Sequence, residues 1–144
     1  MTQEEKELLF RDLSARIIYG LKCYPVITNG KPNIIGGYRK VLDDLYVEVV
    51  GKWFPISMIK PYLRPISSMT DEEKGELKLE QEKDEELFIQ VINKSQNGDD
   101  SLLGTVIPHY AEDWANKNHF DYRGLIEKGL DLEAPDGMYN LNKE

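Results

Sequence analysis

Apolar positions recur with a helical period at the start of the chain, with a strand period in the next third, and then in helical blocks of unequal polarity. Leu9, Phe10, Leu13 and Ile17 fall on one face of a 3.6-residue repeat. Thr2 and Glu5 stand ahead of them at capping-box spacing, where the hydroxyl can take the Glu5 amide and the carboxylate can reach back. A helix is predicted over residues 3–15, ending near Gly20. From residue 21 the texture turns to short β-rich runs: LKCYPVI, IIGGYRKVL, LYVEVVG, KWFPISMI and KPYLRPIS. TNGKPN reads as a turn, and Gly36-Gly37 as a bulge or sharp bend. Asp43-Asp44 reads as a second turn, and Leu45, Val47 and Val49 alternate onto one strand face. Pro25, Pro55, Pro61 and Pro65 belong at edges or strand ends. Short strands over 21–65 predict a small, SH3-like curled β-barrel with one face covered by the N-terminal helix.

Thr70 and Glu73 make a second capping box, with acids crowding the first turn. One long helix is predicted over 70–93, acidic at first and ending in the apolar LFIQVI. NKSQNGDDS follows as a loop. A helix over 108–117 opens on Pro108 and sets Tyr110 and Trp114 at i and i+4. Asp121 caps a short helix over 122–128, closed by Gly129 in the left-handed conformation. EAPDGMY reads as an ordered turn that buries Met138 and Tyr139. The expected class is α+β: an N-terminal helix, a small barrel, a long acidic helix and a short C-terminal helical hairpin. The division falls between 1–66 and 67–144, the two parts packing as one structural unit.

Charge changes the picture more than size does. The 144 residues are 40% apolar and 31% charged, enough for one core. Residues 1–65 carry 10 basic and 7 acidic side chains, whereas 66–144 carry 8 basic and 19 acidic. Such asymmetry speaks of partners rather than of fold. No run reaches the roughly 20 apolar residues of a membrane span. MTQEEKELLFRDL is acidic and amphipathic, unlike a secretory signal, so a cytoplasmic location is expected. Cys23 is the single cysteine, which excludes an internal disulfide and a cysteine-based zinc site. In GLKCYPVI it reads as a small buried hydrophobe.

IKPYLRPISSMTDEE together with NKNHFDYRGLIEKGLDLEAPDGMY resembles a group of uncharacterised proteins of gut Bacteroidetes, their phages and their mobile elements. The two blocks cover about 40 residues. The resemblance implies an accessory role in a phage or mobile-element context, and it carries no catalytic residues.

NHFDYRGL sets His119, Asp121, Tyr122 and Arg123 side by side, and so raises an enzyme reading. Neighbouring side chains in a turn diverge, however, while catalytic groups converge from separate segments. Capping and pairing roles fit better, with Arg123 directed to Asp121 or to an acid of the 70–86 segment. His109 and His119 lack metal-site spacing, Gly36-Gly37 lacks a phosphate-loop context, and no nucleophile elbow is present. No cofactor or metal is expected. The basic segment 21–65 interleaves Tyr24, Tyr38, Arg39, Lys40, Trp53, Tyr62 and Arg64, as small barrels that bind nucleic acid do. A net charge of −8 opposes that reading. The expected function is therefore a non-enzymatic interaction module that binds an unidentified protein or a second copy of itself. A nucleic-acid-associated barrel is the alternative, and an enzyme built on His119, Asp121 and Arg123 the third reading. Binding candidates are Tyr38, Arg39, Trp53, Tyr62, Arg64, His119, Tyr122 and Arg123.

Overall fold

The computed structural model describes residues 2–28, 31–79, 85–103, 109–135 and 137–139. The first helix, α1 (Gln3–Arg16), starts at the capping box expected for it: the Glu5 amide donates to Thr2 Oγ1 at 3.1 Å and the Thr2 amide to Glu5 Oε1 at 2.8 Å. A single 3-10 turn (Ile17–Tyr19) follows, and Gly20 at φ +74° ends it in the left-handed region open to glycine. Strands β1 (Lys22–Thr28), β2 (Lys31–Val41), β3 (Asp44–Val49), β4 (Lys52–Pro55) and β5 (Lys60–Leu63) succeed one another, and β6 (Leu132–Glu133) comes near the end of the chain. The sheet order is β4-β3-β2-β1-β5-β6.

The fold is thus α+β, but the sheet is open rather than a closed barrel. Closure needs the end strands to pair, and β4 and β6 lie at opposite ends of the order. After Pro55 the 3-10 turn Ile56–Met58 carries the chain away from β4, so β5 pairs with β1 and not with its predecessor. The bulge at Gly36-Gly37 is present, as the register slips between Ile35 and Gly37. The β2–β3 turn sits at Leu42-Asp43, one residue earlier than Asp43-Asp44, because Val41 pairs with Asp44. The Asn29-Gly30 turn lies outside the described residues.

Contacts divide the chain into two compact units, 1–62 with 128–132 and 63–127 with 133–144. In the first, Leu9 and Leu13 of α1 and Leu45, Val47 and Val49 of β3 are buried with Leu21, Cys23 and Ile35. Phe10 meets Tyr38 edge-on at 5.5 Å, which places α1 over this inner face of the sheet. The same helix stripe buries a charge pair. Arg16, fully buried, donates from Nε to both Asp12 oxygens at 3.0 Å.

The second unit holds α2 (Asp71–Leu79), α3 (Glu85–Gln96) and α4 (His109–Lys117). A single helix over 70–93 is not formed. Lys74 donates to Asn93 at 3.3 Å and also to Gln96. One continuous helix would separate residues 74 and 96 by about 33 Å. The helix therefore breaks, and α2 lies back along α3. The core here comprises Ile66, Met69, Val91, Ile92, Ala111, Trp114, Ala115, Phe120 and Tyr122, with Trp114 and Phe120 stacked at 5.5 Å. Residues 122–128 form turns rather than a helix, since Gly124 at φ +77° leaves the right-handed region midway. Pro108 and Asp136 lie outside the described residues. Among the described residues no helix is long and apolar enough to cross a membrane.

Candidate binding surface

Strand parity sorts the side chains of the first unit into two faces. With Leu45, Val47 and Val49 buried under α1, Tyr46 and Glu48 point the other way. The register carries Arg39 to the same outer side, opposite Tyr46, and Trp53 with it, opposite Glu48. On the other half of the sheet Cys23 faces Pro61, both buried. Their strand neighbours Lys22, Tyr24, Lys60 and Tyr62 therefore stand outward, with Tyr24 directly across from Lys60. Ile34, paired with Lys22, belongs to this face as well. Tyr24 is 52% exposed, Ile34 55% and Trp53 42%, so three large apolar side chains share one open sheet face.

Two of these residues are held in place. The Arg39 guanidinium reaches across β3 and lies 4.4 Å from the centre of the Trp53 ring, a cation–π contact. The glycine pair lets the group settle close to the strand. A Cβ at Gly37 would stand 3.3 Å from Glu48 Oε1 and 3.8 Å from Trp53 Cη2. A bare backbone here makes room for the carboxylate and the indole together.

Parity also separates residues that interleave in the sequence. Tyr38 and Lys40 sit on the opposite parity to Arg39 and pack on Phe10 of α1, the Lys40 ammonium 5.3 Å from that ring. Arg64 belongs to the second unit. Grouping Tyr38 and Lys40 with Arg39 and Trp53 on one sheet face is therefore corrected: Arg39 and Trp53 meet, Tyr62 shares their face, and Tyr38 and Lys40 do not. Lys22, Tyr46 and Lys60 are the members that a reading of local pattern passed over. Once β3 is known to bury its odd positions, Tyr46 follows by alternation. Lys22 and Lys60 need the β1–β5 pairing, which no local signal gives.

In the second unit the expected candidates are engaged in structure. Arg64 makes a two-pronged ion pair with Glu73, Nη1 to Oε2 at 2.6 Å and Nη2 to Oε1 at 2.8 Å, while its plane lies 4.2 Å from the Phe120 ring centre. Its amide donates to the His119 carbonyl at 2.7 Å, and its own carbonyl accepts from the Asp121 amide at 2.9 Å. These bonds make the parallel bridge Arg64–Phe120. His119 is buried at φ +60°, its ring stacked on Tyr139 at 4.1 Å. The Asp121 carboxylate accepts the amides of Leu125 at 2.8 Å and Ile126 at 3.0 Å, and so ties a turn rather than capping the helix expected after it. Tyr122 is buried and donates its hydroxyl to Asn116 at 3.0 Å. Arg123 lies 4.5 Å from the Tyr122 ring centre.

Burial pushes the Glu73 carboxyl up, but the Arg64 guanidinium and the Thr70 amide outweigh it and hold the group below the usual carboxylate range. Cys23 is buried under the sheet, and its thiol is pushed up to about 11 by that burial. A cavity of 220 Å³ lies beside Arg64, lined also by Glu73, Glu133 and Tyr139. It falls short of the roughly 300–1,000 Å³ of ordinary ligand pockets, and the guanidinium in its wall already holds a carboxylate. No protein-family model, curated protein or solved structure matches the chain.

Proposed function

We propose that this protein is a non-enzymatic binding module, an accessory protein of phage or mobile-element type, and that the outer face of its sheet is the contact surface. One observation carries the reading: Tyr24, Ile34 and Trp53 stand exposed on the sheet face opposite α1, among lysines and an arginine. Aromatic and arginine side chains supply most of the binding energy at recognition surfaces, and they cluster at interface centres. The titratable groups of NHFDYRGL, by contrast, hold turns and stack on rings, which supports a structural role for them.

The test is co-purification from host cells that carry the cognate element, with the native chain and a Tyr24→Ser/Trp53→Ser double variant. The native chain is expected in a complex that the variant loses, while both melt at similar temperatures. A complex that the variant retains would move the contact surface elsewhere. Only free monomer, recovered from cells known to hold the element, would end the reading. A self-associated species that the variant dissolves would make the partner a second copy of the chain.

A further inference from the structure

The outer face has a composition that narrows its partner, granted the reading of it as a contact surface. Four aromatic rings, Tyr24, Tyr46, Trp53 and Tyr62, alternate there with the cationic Lys22, Arg39 and Lys60, and the strand register adds two acids, Glu48 and, at the strand end, Asp44. Interfaces built for protein partners favour Tyr, Trp and Arg but are depleted in Lys. Surfaces that track a single nucleic-acid strand want both kinds of group: rings for the bases and cations for the phosphates. The Arg39–Trp53 stack supplies a flat guanidinium and a flat indole at one place, and either plane can take a base.

The chain is acidic overall, at −8, but the residues that the register puts on this face lean the other way. Lys22, Arg39 and Lys60 stand there against Glu48 and Asp44, and Asp44 is paired with Lys6 of α1 at 3.2 Å. At physiological salt a charge is felt over about 8 Å, so the local balance governs a phosphate on the sheet. We infer that the outer face of the sheet binds single-stranded nucleic acid, with bases stacked on Trp53 and Tyr24 and phosphates met by Arg39 and Lys60. Duplex should bind more weakly, because its bases are already stacked on one another and leave only its phosphates to meet the cations.

Fluorescence anisotropy of the full chain with labelled oligothymidylate, oligouridylate and a DNA duplex tests this. Both single strands should bind more tightly than the duplex. Trp53→Ala should weaken them about 5- to 150-fold, the range measured for one stacked base. Arg39→Glu should weaken them too, and it keeps the test open if the Trp53 variant folds badly. Raising salt from about 50 to 200 mM should cost about 7-fold, for the two phosphates met by Arg39 and Lys60 at a slope of about −0.7 each. No binding of either strand at about 100 μM protein, the weak end of non-specific affinity, overturns the inference. So does binding that neither variant alters, and that result also removes the outer face as the contact surface. A protein partner lost with Tyr24→Ser/Trp53→Ser but retained after nuclease treatment overturns the nucleic-acid inference alone and leaves the binding module standing.

Discussion

Three arginines in this protein sit over aromatic rings at almost the same distance, and two of them, Arg64 and Arg39, do so in opposite surroundings. Arg64 rests 4.2 Å from the centre of Phe120, and Arg39 rests 4.4 Å from the centre of Trp53. Under Arg64 the ring is wholly buried, and Glu73 takes both of its terminal nitrogens. Under Arg39 the ring is 42% exposed, on the face that α1 leaves uncovered. The stack alone therefore does not distinguish a site from a strut. What distinguishes them is where the remaining hydrogen-bonding capacity of the guanidinium goes and whether its ring meets solvent. Arg16 takes the buried case to its limit against Asp12.

If burial of the partner decides the role, stability losses should rank with it. Asp12→Ala is expected to have the largest effect, because it leaves the Arg16 charge enclosed without its carboxylate. About 3–5 kcal/mol is the usual cost of breaking such a pair, readable as a shift of the urea midpoint at constant slope. Arg64→Ala should follow at about 2 kcal/mol, discounted because its ion pair keeps some solvent contact. A double-mutant cycle with Glu73→Ala should show coupling of about 1 kcal/mol or more, since the two side chains touch. Additive losses would mean that Glu73 matters only as the cap of α2.

How much of this could be read in advance follows the range of each interaction. Both capping boxes are legible, because their partners are three residues apart. The burial of Leu45, Val47 and Val49 and the bulge at Gly36-Gly37 are legible for the same reason. The helix break is not: no proline or glycine stands between Gly75 and the end of α3 at Gln96, so local pattern gives helix throughout. Only the packing of Lys74 on Asn93 and Gln96 reveals it. The Asp12–Arg16 pair hides in plain view. Positions 9, 12, 13 and 16 share one helix stripe, but charged residues are assigned to solvent by default. At i and i+4 they can satisfy each other inside. Half of the outer face depends on β1 choosing β5 as its neighbour, and long-range pairing leaves no mark in either strand.

Acid gives the next, smaller effect and separates the two stacks again. The pKa of Glu73 is depressed in the folded chain, so folding favours its carboxylate. The stability this brings is complete above the unfolded value of about 4.3 and is lost as pH falls through the lower folded value. Glu73→Gln should flatten that acid limb. Arg39→Ala should leave it unchanged, having no part in the Arg64–Glu73 pair.

Arg39→Ala is the smallest change and the most telling. An exposed cation–π contact contributes about 0.5–1 kcal/mol, so the midpoint of unfolding should move by no more than that. Gly37, Glu48 and the strand register would remain, and Trp53 would become more exposed. Binding at the outer face should nevertheless fall well beyond what the stability loss can explain, because the variant removes one charge and one stacking plane at once. Arg64→Ala should show the reverse, a clear loss of stability with binding by the native fraction unchanged. If Arg39→Ala instead unfolds the protein as readily as Arg64→Ala, the outer stack is a strut like the inner one. The aromatic face would then be explained by packing alone.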